Sequence, residues 1–262
     1  MNIIPNIFHY LFIYKQNFND QQIEILLNKT IDLVSYMKYQ DIFEEYYTQH
    51  LAEHLLSNQS ISEDLEKYIL SLLNSKFGNQ FTSKLEYMLQ NISLSDILTK
   101  DFQSYVNENK INLYNVKFSI RILKTGFWPI SSLTNQCNLS PIIRNVYQDF
   151  QNFYLKKFNN RRLTLLSQFG SADLKIIFYN KLMMKEQKYI LQISTYQMLI
   201  SMLFNIKDYW SFKKIVDETN INIDDVEQTL ISLSINKNIL LKEPKNESIQ
   251  LNDRFFVNDS FI

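Results

Sequence analysis

The sequence predicts a mainly α chain with a small sheet, an α+β fold in three parts: a helical bundle over 20–115, a small α/β sheet region over 116–193 and a winged helix over 194–262. Three observations predict it. Apolar residues recur at three- and four-residue steps from Asp20 to Lys110, the period then drops to two, and from Ser194 onward three short helical patterns precede two short apolar runs. Residues 1–19 are assigned to no element. Ile3 to Tyr14 is apolar and aromatic but is interrupted by Pro5, Asn6 and His9 and lacks a basic start and a small-residue cleavage site, so no secretory leader is predicted.

In the bundle, Ile23, Leu26, Leu27, Ile31, Val34 and Met37 share one helical face, and Phe43, Tyr46, Tyr47, His50, Leu51 and His54 make a second stripe. Ser60 and Glu63 have the spacing of a capping box ahead of Leu65, Ile69, Leu72 and Leu73. Gly78 is a plausible stop, and Thr82 is expected to cap a further helix with Leu85, Met88 and Leu89. Amphipathic stripes without other partners pack on each other, hence the bundle. Val116, Phe118, Ile120 and Ile122 then alternate with polar residues, which predicts a strand with one buried face. Ser140-Pro141 opens a helix over 140–158 that is expected to join the bundle. Leu163 to Phe169 and Leu174 to Phe178, separated by Gly170-Ser-Ala, predict a hairpin, and Tyr189 to Ile193 a further strand. In the last part Ser194 with Gln197, Ser211 and Asn222 open three helices, and Ile239 to Leu241 is expected to pair with Arg254 to Val257.

Composition excludes several chemistries. The three glycines, at 78, 126 and 170, never cluster, so phosphate-cradling and dinucleotide-binding loops are ruled out. The lone Cys137 allows neither an intrachain disulfide nor a multi-cysteine zinc site. Lysine plus arginine and aspartate plus glutamate both total 27, so no net field draws the chain to nucleic acid or to anionic lipid. No apolar run is long enough to span a bilayer. The third helix of the winged region opens with Asp224, Asp225 and Glu227, which would repel a phosphate backbone. His50 and His54 stand at i and i+4, but the residue after His50 is Leu51 where a zinc-protease motif places glutamate, so they read as structural. Lys156, Lys157, Arg161 and Arg162 suit a helix C-terminus, with an acidic partner as the alternative. No catalytic, cofactor or metal site is predicted.

Several strings carry a resemblance. Asp41-Ile-Phe-Glu-Glu-Tyr-Tyr-Thr-Gln-His-Leu-Ala52 before Leu55-Leu56, then Ser60-Ile-Ser-Glu-Asp64, Phe81-Thr-Ser-Lys-Leu-Glu86 and Thr125-Gly-Phe-Trp-Pro129 come in order. Phe153-Tyr154, Arg161-Arg-Leu-Thr164, Gly170-Ser-Ala-Asp-Leu174, Ser194-Thr-Tyr-Gln-Met198 with Leu203-Phe-Asn205, Lys242-Glu-Pro-Lys245 and Phe256-Val-Asn-Asp259 follow. Together, over roughly 21–262, they resemble the cullin family, most of all the subtype that works with BTB-domain adaptors.

The resemblance implies a non-catalytic scaffold of a multi-subunit ubiquitin ligase in the cytoplasm or nucleus. A RING subunit of RBX type would bind by strand addition to the sheet and would recruit the ubiquitin-loaded E2. The residues implied for RING binding are Val116, Phe118, Ile120 and Ile122, Leu163 and Leu165, Leu174, Ile176 and Phe178, and Ile190 and Ile193. The resemblance also implies departures. The family's N-terminal stalk of repeats and its C-terminal winged helix with the NEDD8-accepting lysine are not expected here, and no lysine inherits that role. Two other readings stay open on the architecture alone: a winged-helix DNA binder, and a helical and winged-helix subunit of a lid-type complex.

Overall fold

The computed structural model describes residues 19–56, 63–130, 137–180, 185–246 and 248–258. The chain divides into two compact units. One holds the residues up to Ile111 with a segment that starts at Lys117; the other holds Asn112–Val116 and the remainder of the chain.

Among the described residues the first unit is built on four helices: α1 (Asp20–Ser35), α2 (Gln40–Leu56), α3 (Glu63–Phe77) and α4 (Asn79–Glu108). Asn19 caps α1 reciprocally with Gln22, its side chain accepting from the Gln22 amide at 2.8 Å while Gln22 accepts from the Asn19 amide at 3.1 Å. The expected α1 stripe is buried: Ile23, Leu27, Ile31 and Val34 all join the core. On α2 the stripe holds at Phe43, Tyr47 and Leu51, but Tyr46 faces solvent. The core is completed by Ile69 and Leu73 of α3, Leu85 and Met88 of α4, and Trp128. The expected cap at Ser60 lies outside the described residues. Gly78, with φ of 79°, separates α3 from α4, so the next helix starts there and not at Thr82. Thr82 is fully buried inside α4, where its hydroxyl donates to Glu86 Oε1 at 2.8 Å.

Glu66 of α3 is a buried carboxyl. Its Oε2 accepts from the Tyr47 hydroxyl at 3.3 Å, and its Oε1 has no hydrogen-bond partner among the described residues. Burial pushes the carboxyl from its usual 4.5 up to about 7, with the Tyr47 hydrogen bond pulling weakly the other way. The folded state therefore holds this proton more tightly than the unfolded chain does. Its contribution to stability is full below the unfolded value and is lost as pH rises towards the folded one, a change of order a few kcal/mol. Glu66→Gln is expected to flatten that slope and to raise stability at pH 8; urea unfolding at pH 5 and pH 8 checks it, and an unchanged slope would remove Glu66 as the cause.

The second unit contains α5 (Pro141–Lys157), the hairpin β1 (Ser171–Asn180) and β2 (Lys185–Ser194), and then α6 (Thr195–Leu203), β3 (Tyr209–Ser211), α7 (Phe212–Thr219), α8 (Ile223–Ile231), β4 (Leu240–Glu243) and β5 (Arg254–Val257). Proline stands at the start of α5 as expected, but α5 groups with this unit and not with the bundle. Ser194 and Gln197 form the expected reciprocal cap of α6. The last six elements come in the expected order, with β3 added. Tyr209-Trp-Ser is too short to show an alternation, yet it completes an antiparallel sheet of order β3-β5-β4. The core of this unit gathers Ile200 of α6, Ile215 of α7, Leu230 of α8, Trp210 and the fully buried Phe255 of the central strand.

A buried ammonium ties the β4–β5 connection. Lys242 Nζ lies 3.0 Å from Asp253 Oδ2, the two side chains being only 10% and 3% exposed. It also donates to the carbonyls of Pro244 at 3.2 Å, Asn246 at 2.8 Å and Ser248 at 2.7 Å, and to Asn246 Oδ1. Asp253 Oδ2 accepts in addition from the Gln250 amide at 2.9 Å.

Candidate functional site

Val116 to Leu123 was expected to be a strand. The chain there carries no regular element and alternates in burial only as far as Ile120, and no strand pairs with it among the described residues. Its partner is a helix. The Ile120 amide donates to Thr99 Oγ1 at 3.1 Å, the Ile122 amide to Ser95 Oγ at 2.8 Å and the Lys124 amide to Asn91 Oδ1 at 3.3 Å. Asn91, Ser95 and Thr99 stand four residues apart on one face of α4, so the segment runs antiparallel to the helix and spends every second amide on it. Ile120 is buried, Phe118 and Ile122 are half-buried, and the Phe118 ring meets Phe102 edge-on at 6.1 Å between centroids. Val116 precedes this segment and belongs to the other unit. The alternation thus holds from Val116 to Ile120, and no strand ladder accompanies it among the described residues. The signal that was missed is polar: three small hydrogen-bonding side chains at i, i+4 and i+8 on a helix face otherwise destined for a core.

The hairpin is shifted from its expected place. Leu163 and Leu165 lie in irregular chain before a short 3₁₀ turn over Ser167–Phe169, so the first expected strand does not form. Gly170 does not lie in the turn; it lies at the hairpin's base, where a Cβ would run into Thr195 Oγ1 and where its carbonyl accepts from the Thr195 amide at 2.9 Å. β1 pairs with β2 from Ser171 opposite Ser194 to Asn180 opposite Lys185. Leu174, Ile176 and Ile193 point inward onto the core of the second unit. Ile190, of opposite parity to Ile193, is 76% exposed, and Ile177 on the same outer face is 53% exposed. Phe178 stands opposite Gln187; its side chain lies outside the described ones.

The edges can be assigned from the register. Gly170 and Thr195 form a hydrogen-bonded pair, so in an antiparallel ladder the groups of residues 173, 175 and 177 on β1, and of 188, 190, 192 and 194 on β2, point away from the partner strand. Two contacts agree: the Ser194 amide donates to Gln197 Oε1 at 3.1 Å, and Lys237 Nζ donates to the Gln192 carbonyl at 2.9 Å. The β2 edge is therefore covered near its base, whereas no third strand joins β1 among the described residues.

Elsewhere the arrangement offers little chemistry. His50 and His54 have ring centroids 5.9 Å apart, and no group of residues suited to a metal ion occurs among the described residues. A cleft of about 410 Å³ in the first unit is lined by Asp41, Glu44, Glu45, Thr48, Gln49, Lys84 and the Gly126–Pro129 turn. Arg161 stacks over the Phe158 ring at 4.4 Å and donates to the Tyr154 hydroxyl at 3.0 Å. Asp224 and Asp225 occupy the first turn of α8, the helix that would have to face a nucleic acid. No described helix is long and apolar enough to cross a membrane.

Comparison with known proteins identifies the family. The model of the cullin alpha+beta domain matches residues 122–261, more than half of the chain. The chain belongs to the cullin family. The cullin alpha solenoid domain matches residues 9–99, which extends the likeness upstream of residue 21, where the resemblance was expected to begin. This cullin is 36% identical to Cullin-3B of Arabidopsis thaliana over 245 residues, covering 92% of this chain and 32% of the relative. It is 36% identical to Cullin-3 of Dictyostelium discoideum over 223 residues (85% and 28%) and 35% identical to Cullin-3 of Schizosaccharomyces pombe over 248 residues (92% and 30%). It thus spans about a third of the length of these relatives.

Proposed function

We propose that this cullin is a non-catalytic scaffold of a cullin-RING ubiquitin ligase and that it holds a RING subunit of RBX type by strand addition. The observation that carries the reading is the β1 edge, which no third strand joins among the described residues, with the backbone groups of Asp173, Lys175 and Ile177 directed outward along a ten-residue strand. An extended segment laid along that edge gains backbone hydrogen bonds for affinity, and the outer-face residues Ile177 and Ile190 offer apolar contact for specificity. The RING subunit would bring the ubiquitin-loaded E2, so this chain needs no active site of its own. The relation to Cullin-3 proteins supports the BTB-adaptor subtype and work in the cytoplasm or nucleus. The acidic opening of α8 speaks against a winged-helix DNA binder.

Co-expression with a RING subunit of RBX type tests the proposal. The expected result is a one-to-one complex that survives gel filtration in 0.5 M salt, because backbone pairing is weakly screened. A RING subunit that elutes separately while the cullin remains folded would overturn it.

A further inference from the structure

Four cations crowd one end of α5, and the helix accounts for only two of them. Lys156 and Lys157 occupy its last turn, where positive charge offsets the helix dipole. Arg161 and Arg162 follow the cap at Phe158, beyond the turn over which that effect acts. From Phe150 to Ala172 the sequence holds these four cations and no carboxylate, although the formal net charge of the whole chain is zero. All four residues are exposed. Asn160, with φ of 60°, takes the left-handed conformation that asparagine tolerates and turns the chain after the helix. Arg161 thereby meets the last turn again: its guanidinium lies 4.4 Å from the centre of the Phe158 ring and donates to the Tyr154 hydroxyl at 3.0 Å. Lys157 Nζ lies 6.0 Å from the centre of that same ring.

A ring and a hydroxyl hold a cation in place without cancelling its charge, and a guanidinium seated in this way has less side-chain entropy to lose when a ligand arrives. Leu155, next to Lys156 and 38% exposed, adds an apolar contact. We infer that this end of α5 is a docking surface for an acidic segment of a protein partner, with carboxylates on Lys156, Arg161 and Arg162 and an apolar side chain on Leu155. Charge complementarity names the occupant, because four exposed cations within seven residues draw carboxylates over roughly 8–10 Å before salt screens them. The exposed leucine selects a peptide over a bare phosphate polymer. This goes beyond the RING-scaffold reading and does not depend on it.

Fluorescence anisotropy with the full chain and a labelled peptide of glutamates interspersed with leucines tests the surface. Lys156→Gln with Arg162→Gln should weaken binding about tenfold. Lys213→Gln with Lys214→Gln removes the same charge from exposed residues of α7 and should leave binding within about twofold. Raising the salt from about 50 to 500 mM should weaken the unmodified chain as well. Circular dichroism melts accompany each variant; if the first pair melts early, Arg162→Gln alone is read, with a loss of about threefold expected and an unchanged affinity counting against the surface. Equal losses in the two pairs would overturn it, since net charge alone would then explain them, and so would an unmodified chain that does not bind the peptide. Duplex DNA is the second probe: tighter binding than the peptide, lost with Lys156→Gln and Arg162→Gln, would assign the surface to a phosphate polymer and overturn the acidic segment.

Discussion

Lys175→Pro should all but abolish RING capture while leaving the hairpin folded. The Lys175 amide points away from β2, so a proline there removes no existing ladder bond, and an edge strand tolerates it. The ring cannot donate to an incoming strand and pushes its backbone away. Losing about two pairing hydrogen bonds at ~1 kcal/mol each, plus that steric cost, weakens binding by roughly a hundredfold. Lys188→Pro is the control, since it places the same change on the opposite edge. Pull-down with the RING subunit reads the effect, and far-UV circular dichroism with slow exchange at Leu174 and Ile176 confirms the hairpin. If Lys188→Pro destroyed capture and Lys175→Pro did not, the acceptor edge would be β2 and the assignment made from the Gly170 pairing would be wrong.

Lys242→Met should produce the largest loss of stability. The change removes the cation facing Asp253 but leaves the carboxylate buried at 3% exposure with one amide donor. Breaking a buried pair from one side costs about 3–5 kcal/mol, whereas an exposed pair costs under about 1 kcal/mol. The effect belongs to the second unit, which carries Trp210, while Trp128 reports on the first. Urea unfolding in a Trp128→Phe background therefore follows the affected unit alone. The pair Lys242→Met with Asp253→Asn should recover part of the loss, because no uncompensated charge then remains. A loss below about 1 kcal/mol in the single variant would show that water reaches the pair and that the ammonium does not organise the connection.

The helices were legible because burial imposes its period directly on the side chains: Ile23, Leu27, Ile31 and Val34 gave away α1, and Ser194 with Gln197 gave away the start of α6. The candidate site was less legible, for one reason that recurs. A two-residue period reports an extended chain with one covered face; it does not report what covers it. Phe118, Ile120 and Ile122 satisfied the pattern against a helix, and Leu163 and Leu165 shared its appearance without forming any strand. Parity was the finer lesson. Ile190 and Ile193 are both apolar members of β2, yet an odd separation places them on opposite faces, so only one belongs to the core. Edges could not be read at all, because which amides point outward depends on the pairing phase, and here that phase is set by Gly170 and Thr195 across a tertiary contact.

That same junction gives the hairpin a mechanical character. Two ten-residue strands reach about 33 Å from their base, and at the base the chain is clamped where Gly170 meets Thr195 and where β2 passes directly into α6. The hairpin is thus held at this junction and, further along, by Leu174 and Ile176 on the core of the second unit, and the bare Cα of Gly170 sets how closely its base can seat against α6.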